Sequence, residues 1–446
     1  MTYFVSSNAI RTAFSTAMSH MYRDEVPAYG DLLDIVERTN AAFLSQNQQA
    51  HDEDTARLSE ERHGAVRVGT AAELAMLARI FAIMGMHPVS YYDLGSAGIP
   101  VHSTAFRPIE RQALAANPFR VFTSLLRLEL IEDEAIRSQA EAILQSRSIF
   151  TDDVIALTWK AEEEGGLNET DAPRFVQAVL ETFRWTGKAR VNEATYDILH
   201  DLHRLIADVV SFQGPHINHL TPRTLDIDAC QQAMVTGGLP AKAIIEGPPP
   251  RNCPILLRQT SFKALKEAVQ FKDSDTISAH TARFGEIEQR GIALTPLGRE
   301  RYDSLLASVR EVIKPAADGS NAADYMAALS SAFVAFPDEW RAIYDQKLGY
   351  FRYHRTDAAQ GILDSKNIGT LLDEGILTIS PIIYEDFLPV SAAGIFQSNL
   401  GDDAAQADQK PASQTAFETA LGMSVLDEFT HYQKIQDASL KVALAG

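Results

Sequence analysis

Apolar positions recur with helical spacing over the first sixty residues, where Asp31-Leu32-Leu33-Asp34-Ile35-Val36 forms a short amphipathic run. After His63-Gly64-Ala65-Val66-Arg67-Val68-Gly69 a helix opens at Thr70. Glu73 stands three residues further on, the capping-box spacing, and an Ala-rich apolar run continues to Gly85. Residues 86–92 and 101–106 return to strand character. Residues 115–213 are expected to be mostly helical, with a cap at Thr151-Asp152-Asp153 and stops at Gly165-Gly166 and Gly187. They read as an insertion between two sheet-forming parts.

The pattern changes at Gly214. His216-Ile217-Asn218-His219-Leu220-Thr221 is strand-like, a helix is expected near 227–236, and 254–262 and 281–290 read as strands. This order predicts an α+β unit. A helical stretch over 297–348 leads to Tyr350-Phe351-Arg352-Tyr353 and a last sheet-like region over 375–397, with a polar loop at 402–409. The expected organisation is 1–114, with N-terminal helices and the first part of the core; 115–213, the helical insertion; and 214–446, the rest of the core, all fused into one unit.

Of the 446 residues, 46% are hydrophobic and 22% charged, which is globular composition. A net charge of −19 argues against nucleic acid and anionic membrane as partners, and means that an anionic substrate must be met by locally placed arginines. No run approaches the roughly 18–20 apolar residues of a membrane-spanning helix. Cys230 and Cys253 are too few for a structural zinc site or a disulfide framework, so a reducing, cytoplasmic setting is expected. The first 23 residues lack acidic groups but show no small-residue cleavage pattern, and Ser7-Asn8 can cap a helix; the expectation is an ordinary N-terminus.

Phosphate-binding glycine loops, H-E-x-x-H, C-x-x-C and G-x-S-x-G are all missing from the sequence. Twelve histidines and many carboxylates remain. His63 and Arg67, four apart, share a face on either a helix or a strand, so a metal ligand or base and a guanidinium can serve one pocket. Singly, each fits a structural histidine and a surface ion pair as well. His219 alternates with Ile217 and Thr221, which turns it inward on a half-buried strand. His216 faces the other way and reads as structural. Glu286 sits mid-strand, where a carboxylate is costly to bury unless paired or metal-bound. Glu288 shares its face, and spacing leaves the choice between the two open.

Together these segments resemble the vicinal-oxygen-chelate superfamily, most closely the iron-dependent 2-oxoadipate dioxygenase/decarboxylase family. Asn218-His219-Leu220-Thr221 is similar to the Asp-His-Leu-Thr strand of 4-hydroxyphenylpyruvate dioxygenases, and Glu286-Ile287-Glu288-Gln289-Arg290 to their Glu-Ile-Ile-Gln-Arg strand. The family stretches include Met21-Tyr22-Arg23-Asp24-Glu25-Val26-Pro27, His63-Gly64-Ala65-Val66-Arg67, Ser103-Thr104-Ala105-Phe106-Arg107-Pro108, Leu257-Arg258-Gln259-Thr260-Ser261-Phe262 and Pro389-Val390-Ser391-Ala392-Ala393-Gly394-Ile395-Phe396.

The resemblance implies a βαβββ sheet or barrel core and Fe(2+) held by His63, His219 and Glu286, the first glutamate of its strand being the ligand. It further implies that Arg67 holds a substrate carboxylate, that Val390 and Ser391 line the pocket with His63, and that Gln259 faces it. The implied reaction converts 2-oxoadipate and O₂ to 2-hydroxyglutarate and CO₂, in lysine catabolism. Two imidazoles and one carboxylate leave three open positions on such a metal, two for a 2-oxo acid and one for O₂. The rival readings are a dioxygenase of another 2-oxo acid, a redox-neutral isomerase or lyase of the same superfamily, and a non-catalytic binder of an acidic metabolite.

Overall fold

Local sequence signals set where the first helices begin. In a computed structural model that describes residues 3–445, apart from 48–54, 56, 282, 317, 360, 362, 364–367 and 389–410, Ser6 accepts the Ala9 N–H and so caps α1 (Ser7–Glu25). Pro27 opens α2 (Pro27–Gln46), a position where its missing N–H costs nothing. The chain is a mixed α+β protein of two compact units. One comprises Met1–Lys242, Thr260–Ile287 and Phe387–Leu426, and the other Ala243–Gln259, Glu288–Asp386 and Asp427–Gly446.

In the first unit β1 (Arg62–Val68), α3 (Ala71–Ile83), β2 (His87–Asp93), β3 (Val101–Arg107), the short α4 (Arg111–Ala116) and β4 (Arg120–Leu126) follow one another. The strands and the long helix thus run in β-α-β-β-β order. The expected capping box starts α3, with Thr70 Oγ1 accepting the Glu73 N–H and Glu73 accepting the Thr70 N–H. These strands and β5 (Leu220–Pro222) form one sheet in the order β2-β3-β4-β1-β5. β1 runs parallel to β4 and antiparallel to β5, which sets His63 level with Arg120 on one side and Thr221 on the other.

Alternation along β1 puts His63, Ala65 and Arg67 on one face of the sheet. Ala65, Phe122 and Leu126 pack there with Leu144, Val210 and Phe387. Against the other face, Phe81 of α3 meets Phe106 with ring centroids 4.9 Å apart. After β4 come α5 (Glu134–Gln145), α6 (Asp152–Glu164), α7 (Asp171–Thr182), α8 (Glu193–Leu202) and α9 (Arg204–Ser211). The cap of α9 is His203, whose Nδ1 accepts the Leu205 N–H at 3.1 Å.

The expectation of a mostly helical 115–213 therefore needs correcting at its start, because residues 120–126 are a strand. All seven are buried, and such a strand shows no alternation to separate it from a buried helix. The segment 216–221 is strand only from Leu220 onward. Before it, the Ile217 N–H goes to Phe183 and the Asn218 N–H to Ala65, so no single neighbouring strand takes the backbone bonds. After α10 (Ile227–Thr236), β6 (Leu257–Ser261) pairs with β9 (Glu286–Arg290), while β7 (Lys266–Gln270) and β8 (Ile277–Thr281) form an antiparallel hairpin. β7, largely exposed and polar, gave no pattern, and the expected single strand over 281–290 is broken ahead of Glu286.

In the second unit α11 (Pro296–Val312), α12 (Ala322–Phe333) and α13 (Trp340–Asp345) supply the expected helical stretch. β10 (Phe351–Arg355) then pairs antiparallel with β11 (Leu377–Pro381). Tyr353, Leu371, Leu377 and Ala443 form a small core beneath them. The remainder of the sheet-like 375–397 from residue 389, and the polar loop at 402–409, lie outside the described residues.

Burial sets an acid limit on the fold. It pushes the imidazoles of His102, His203 and His216 down to about 4 each. Unfolded, they titrate near about 6.5, so between these values the unfolded chain binds protons that the folded chain does not. Stability must therefore fall as the pH is lowered through that window. Urea midpoints measured from pH 7.5 to 4.5 are expected to decline steadily, and a flat profile would refute this account.

Candidate metal centre

His63, His219 and Glu286 come from three separate stretches, and each is completely buried. β1 supplies His63, the irregular segment leading into β5 supplies His219, and the first residue of β9 is Glu286. His63 Nε2 lies 3.2 Å from Glu286 Oε1, and His219 Nδ1 lies 4.0 Å from the same oxygen. The two rings stand nearly perpendicular, with centroids 5.4 Å apart. One ligand atom from each residue lies within 4.8 Å of the others. Two imidazoles and a carboxylate are donors that divalent transition metals accept, and the three converge closely enough for one ion to draw them together.

Close backbone approach makes the convergence possible. A Cβ on Gly64 would lie 2.5 Å from Ile217 Cδ1 and 3.1 Å from the His219 carbonyl oxygen, so any larger residue would push against the His219 segment where it lies on β1. A Cβ on Gly285 would lie 2.1 Å from Phe262 Cε1, directly ahead of Glu286. Buried Tyr22 on α1 stands between both ligand-bearing segments. Its hydroxyl is 2.9 Å from the Asn218 carbonyl oxygen and 2.7 Å from that of Phe284.

Thr221 links two of the three side chains. Its hydroxyl donates to Glu286 Oε1 at 3.0 Å and its oxygen is 3.0 Å from His219 Nδ1. With the Thr221 proton directed at the carboxylate, His219 Nδ1 carries a hydrogen and donates it. That tautomer puts the lone pair on Nε2, the form a metal requires. Phe387 packs edge-on to His63 at 4.9 Å between centroids and keeps water from this side.

The structure separates the two glutamates that spacing left equivalent. Glu286 meets the imidazoles, whereas Glu288 accepts from Arg290 in a bidentate pair, Nε to Oε1 at 2.8 Å and Nη2 to Oε2 at 2.9 Å. Arg67 is buried on the same face of β1 as His63, and its Nη1 donates to Asp208 Oδ2 at 2.9 Å. Gln259 is buried on β6, its backbone paired in both directions with Glu246. Val390 and Ser391 lie outside the described residues.

Sequence reasoning missed a second buried group. Asp208 Oδ1 is 3.1 Å from His280 Nε2 and 3.4 Å from His216 Nε2. Burial acts to raise the Asp208 carboxyl, but His216, His280 and Arg67 outweigh it and hold the group well below the usual carboxylate range. His216 was read as structural because an extended chain turns it away from His219. The irregular backbone at 216–219 removes that inference, and an aspartate on the buried α9 was the available signal.

Known proteins resemble this chain along nearly its whole length. Residues 14–399 match the family described as 2-oxoadipate dioxygenase/decarboxylase. A 2-oxoadipate dioxygenase/decarboxylase of Pseudomonas putida is 53% identical, with 98% of this chain and 97% of that protein covered. One from Escherichia coli is 54% identical, with 98% of each covered. The crystal structure of the hydroxyglutarate synthase in complex with 2-oxoadipate from Pseudomonas putida superposes with a TM-score of 0.91 at 51% identity, covering 99% of this chain and 98% of that one. On identity of this extent, this chain, which carries a buried cluster of two histidines and one carboxylate, belongs to the 2-oxoadipate dioxygenase/decarboxylase family.

Proposed function

We propose that this chain converts 2-oxoadipate and O₂ to 2-hydroxyglutarate and CO₂, using Fe(2+) held by His63, His219 and Glu286. The observation that carries the reading is the meeting of these three buried side chains in a member of this family. When bound, iron(II) supplies activation of dioxygen and a Lewis acid for the 2-oxo acid. Thr221 fixes the His219 tautomer and steers Glu286, which presents an orderly donor set before any metal arrives. Phe387 and the packed face of β1 exclude water beside His63.

Arg67 has a separate task. Its planar guanidinium binds a carboxylate with defined direction and so fixes the distal end of a dicarboxylic substrate. A monocarboxylic 2-oxo acid leaves that cation without its substrate partner in a buried site, which is the basis proposed for discrimination. Val390 and Ser391 are proposed to line the same pocket with His63, and Gln259 to face it. A reducing cytoplasmic setting accords with Cys230 and Cys253, both buried and free of disulfides. Among the described residues no helix is long and apolar enough to cross a membrane.

Anaerobic loading with iron(II), followed by 2-oxoadipate and O₂, should release one CO₂ per O₂ consumed and yield 2-hydroxyglutarate. Turnover of a different 2-oxo acid alone would move the substrate assignment and leave the site standing. Metal analysis separates the glutamates: Glu286→Gln should lower bound iron by about tenfold or more, while Glu288→Gln keeps its iron if folded. The reverse result would transfer the ligand role to Glu288. Arg67→Ala should retain metal and lose about a hundredfold in kcat/KM for 2-oxoadipate, and unchanged kinetics would take Arg67 out of the pocket.

A further inference from the structure

Four segments of the first unit meet at one buried carboxylate, apart from the His63, His219 and Glu286 cluster. Asp208 on α9 receives Arg67 Nη1 of β1 on Oδ2 at 2.9 Å. Its Oδ1 faces His280 of β8 at 3.1 Å and His216, ahead of β5, at 3.4 Å. Behind His280, the Tyr196 hydroxyl of α8 lies 2.8 Å from Nδ1. Trp185 stacks on the His280 ring, 12° from parallel, and meets His216 edge-on. Arg67, Asp208, His216 and His280 are all at most 8% exposed.

The hydrogen-bond directions are mutually consistent. A neutral imidazole has one N–H and one lone pair. If the Tyr196 hydroxyl donates to Nδ1 of His280, Nε2 carries the hydrogen and donates to Asp208 Oδ1. That turns Oδ1 toward the imidazoles and reserves Oδ2 for the guanidinium. An arginine side chain carries considerable rotamer freedom, and a carboxylate fixed on its far side removes much of it before substrate binds.

We propose that Asp208, held by His280 and Tyr196 and flanked by His216, is the positioning residue that orients Arg67 toward the distal carboxylate of the substrate. This rests on the carboxylate-binding role assigned to Arg67 above. Asp208, His216 and His280 also have the donor types of a second cation site. A guanidinium on the same carboxylate at 2.9 Å opposes a further positive charge there, and favours the positioning role.

The test compares 2-oxoadipate with 2-oxohexanoate, which has the same chain length and no distal carboxylate, in iron-loaded enzyme carrying Asp208→Asn, Tyr196→Phe, Arg67→Ala, or Arg67→Ala with Asp208→Asn. Metal per chain is measured throughout. Asp208→Asn should raise KM for 2-oxoadipate about tenfold with a smaller effect on kcat. 2-Oxohexanoate kinetics should stay within about twofold, so discrimination between the substrates shrinks. Tyr196→Phe, which keeps the buried charges, should shift discrimination the same way by a smaller factor. In the Arg67→Ala background the Asp208 change should add nothing, because the two act as one unit.

Equal losses on both substrates would overturn the proposal, as would additivity in the double variant. A second equivalent of metal in the parent enzyme that vanishes in Asp208→Asn would replace it with a cation site. Failure of the underlying Arg67 reading looks different: Arg67→Ala itself would then leave discrimination between the two substrates intact.

Discussion

A carboxylate that is completely buried must be answered by its surroundings, and Glu286 sets that demand for the first unit. Two imidazoles and a threonine hydroxyl meet it within 3.0–4.0 Å, yet none of the three carries a permanent charge. Such a donor set suits a divalent cation, and much of the neighbouring structure brings the three stretches close together. Gly64 lets the His219 segment lie on β1, Gly285 lets β9 begin beside Phe262, and Tyr22 spans the two carbonyls flanking the gap. The residues around the centre are thus constrained by backbone approach as much as by chemistry.

A second carboxylate is handled differently. Asp208 is surrounded by a permanent cation and two imidazoles, so its charge is compensated by protein alone. The same residue types therefore serve two ends a short way apart on one sheet face. The His63, His219 and Glu286 group has the donor types that suit a metal. Where a guanidinium accompanies the histidines, the group is an anchor. Two histidines and a carboxylate alone thus do not tell a metal centre from an anchored carboxylate, and the guanidinium on Asp208 is what sets the second group apart.

The helix start at Thr70 was legible because a capping box is a local signal, and β2 and β3 largely followed from short apolar runs between turns, whereas the spacing at 63–67 suits helix and strand alike and left β1 open. The strand at 120–126 was not legible, since a strand buried on both faces loses the alternation that identifies it. At the centre, spacing put His63 and Arg67 on one face, as the sheet has them. Spacing had no means of choosing between Glu286 and Glu288, because side chains two apart on a strand are equivalent until a partner distinguishes them. Asp208 and His280 escaped notice for a related reason: their meeting is set by tertiary placement of α9 and β8, with no trace in the spacing of either.

That equivalence of residues two apart bears on how β9 finds its place. A slip of one residue would turn every side chain to the wrong face, and packing resists it. A slip of two keeps every face and would deliver Glu288 where Glu286 belongs. Arg290 stands against that error. It holds Glu288 bidentately, and its Nη1 also donates to the carbonyl oxygens of Tyr384 at 2.6 Å and Asp386 at 3.1 Å. Sliding the strand by two would break both of these charge-assisted bonds. The arginine thus acts as a registration pin, and the strand's alignment is proofread electrostatically by its bonds to the Tyr384 and Asp386 carbonyl oxygens.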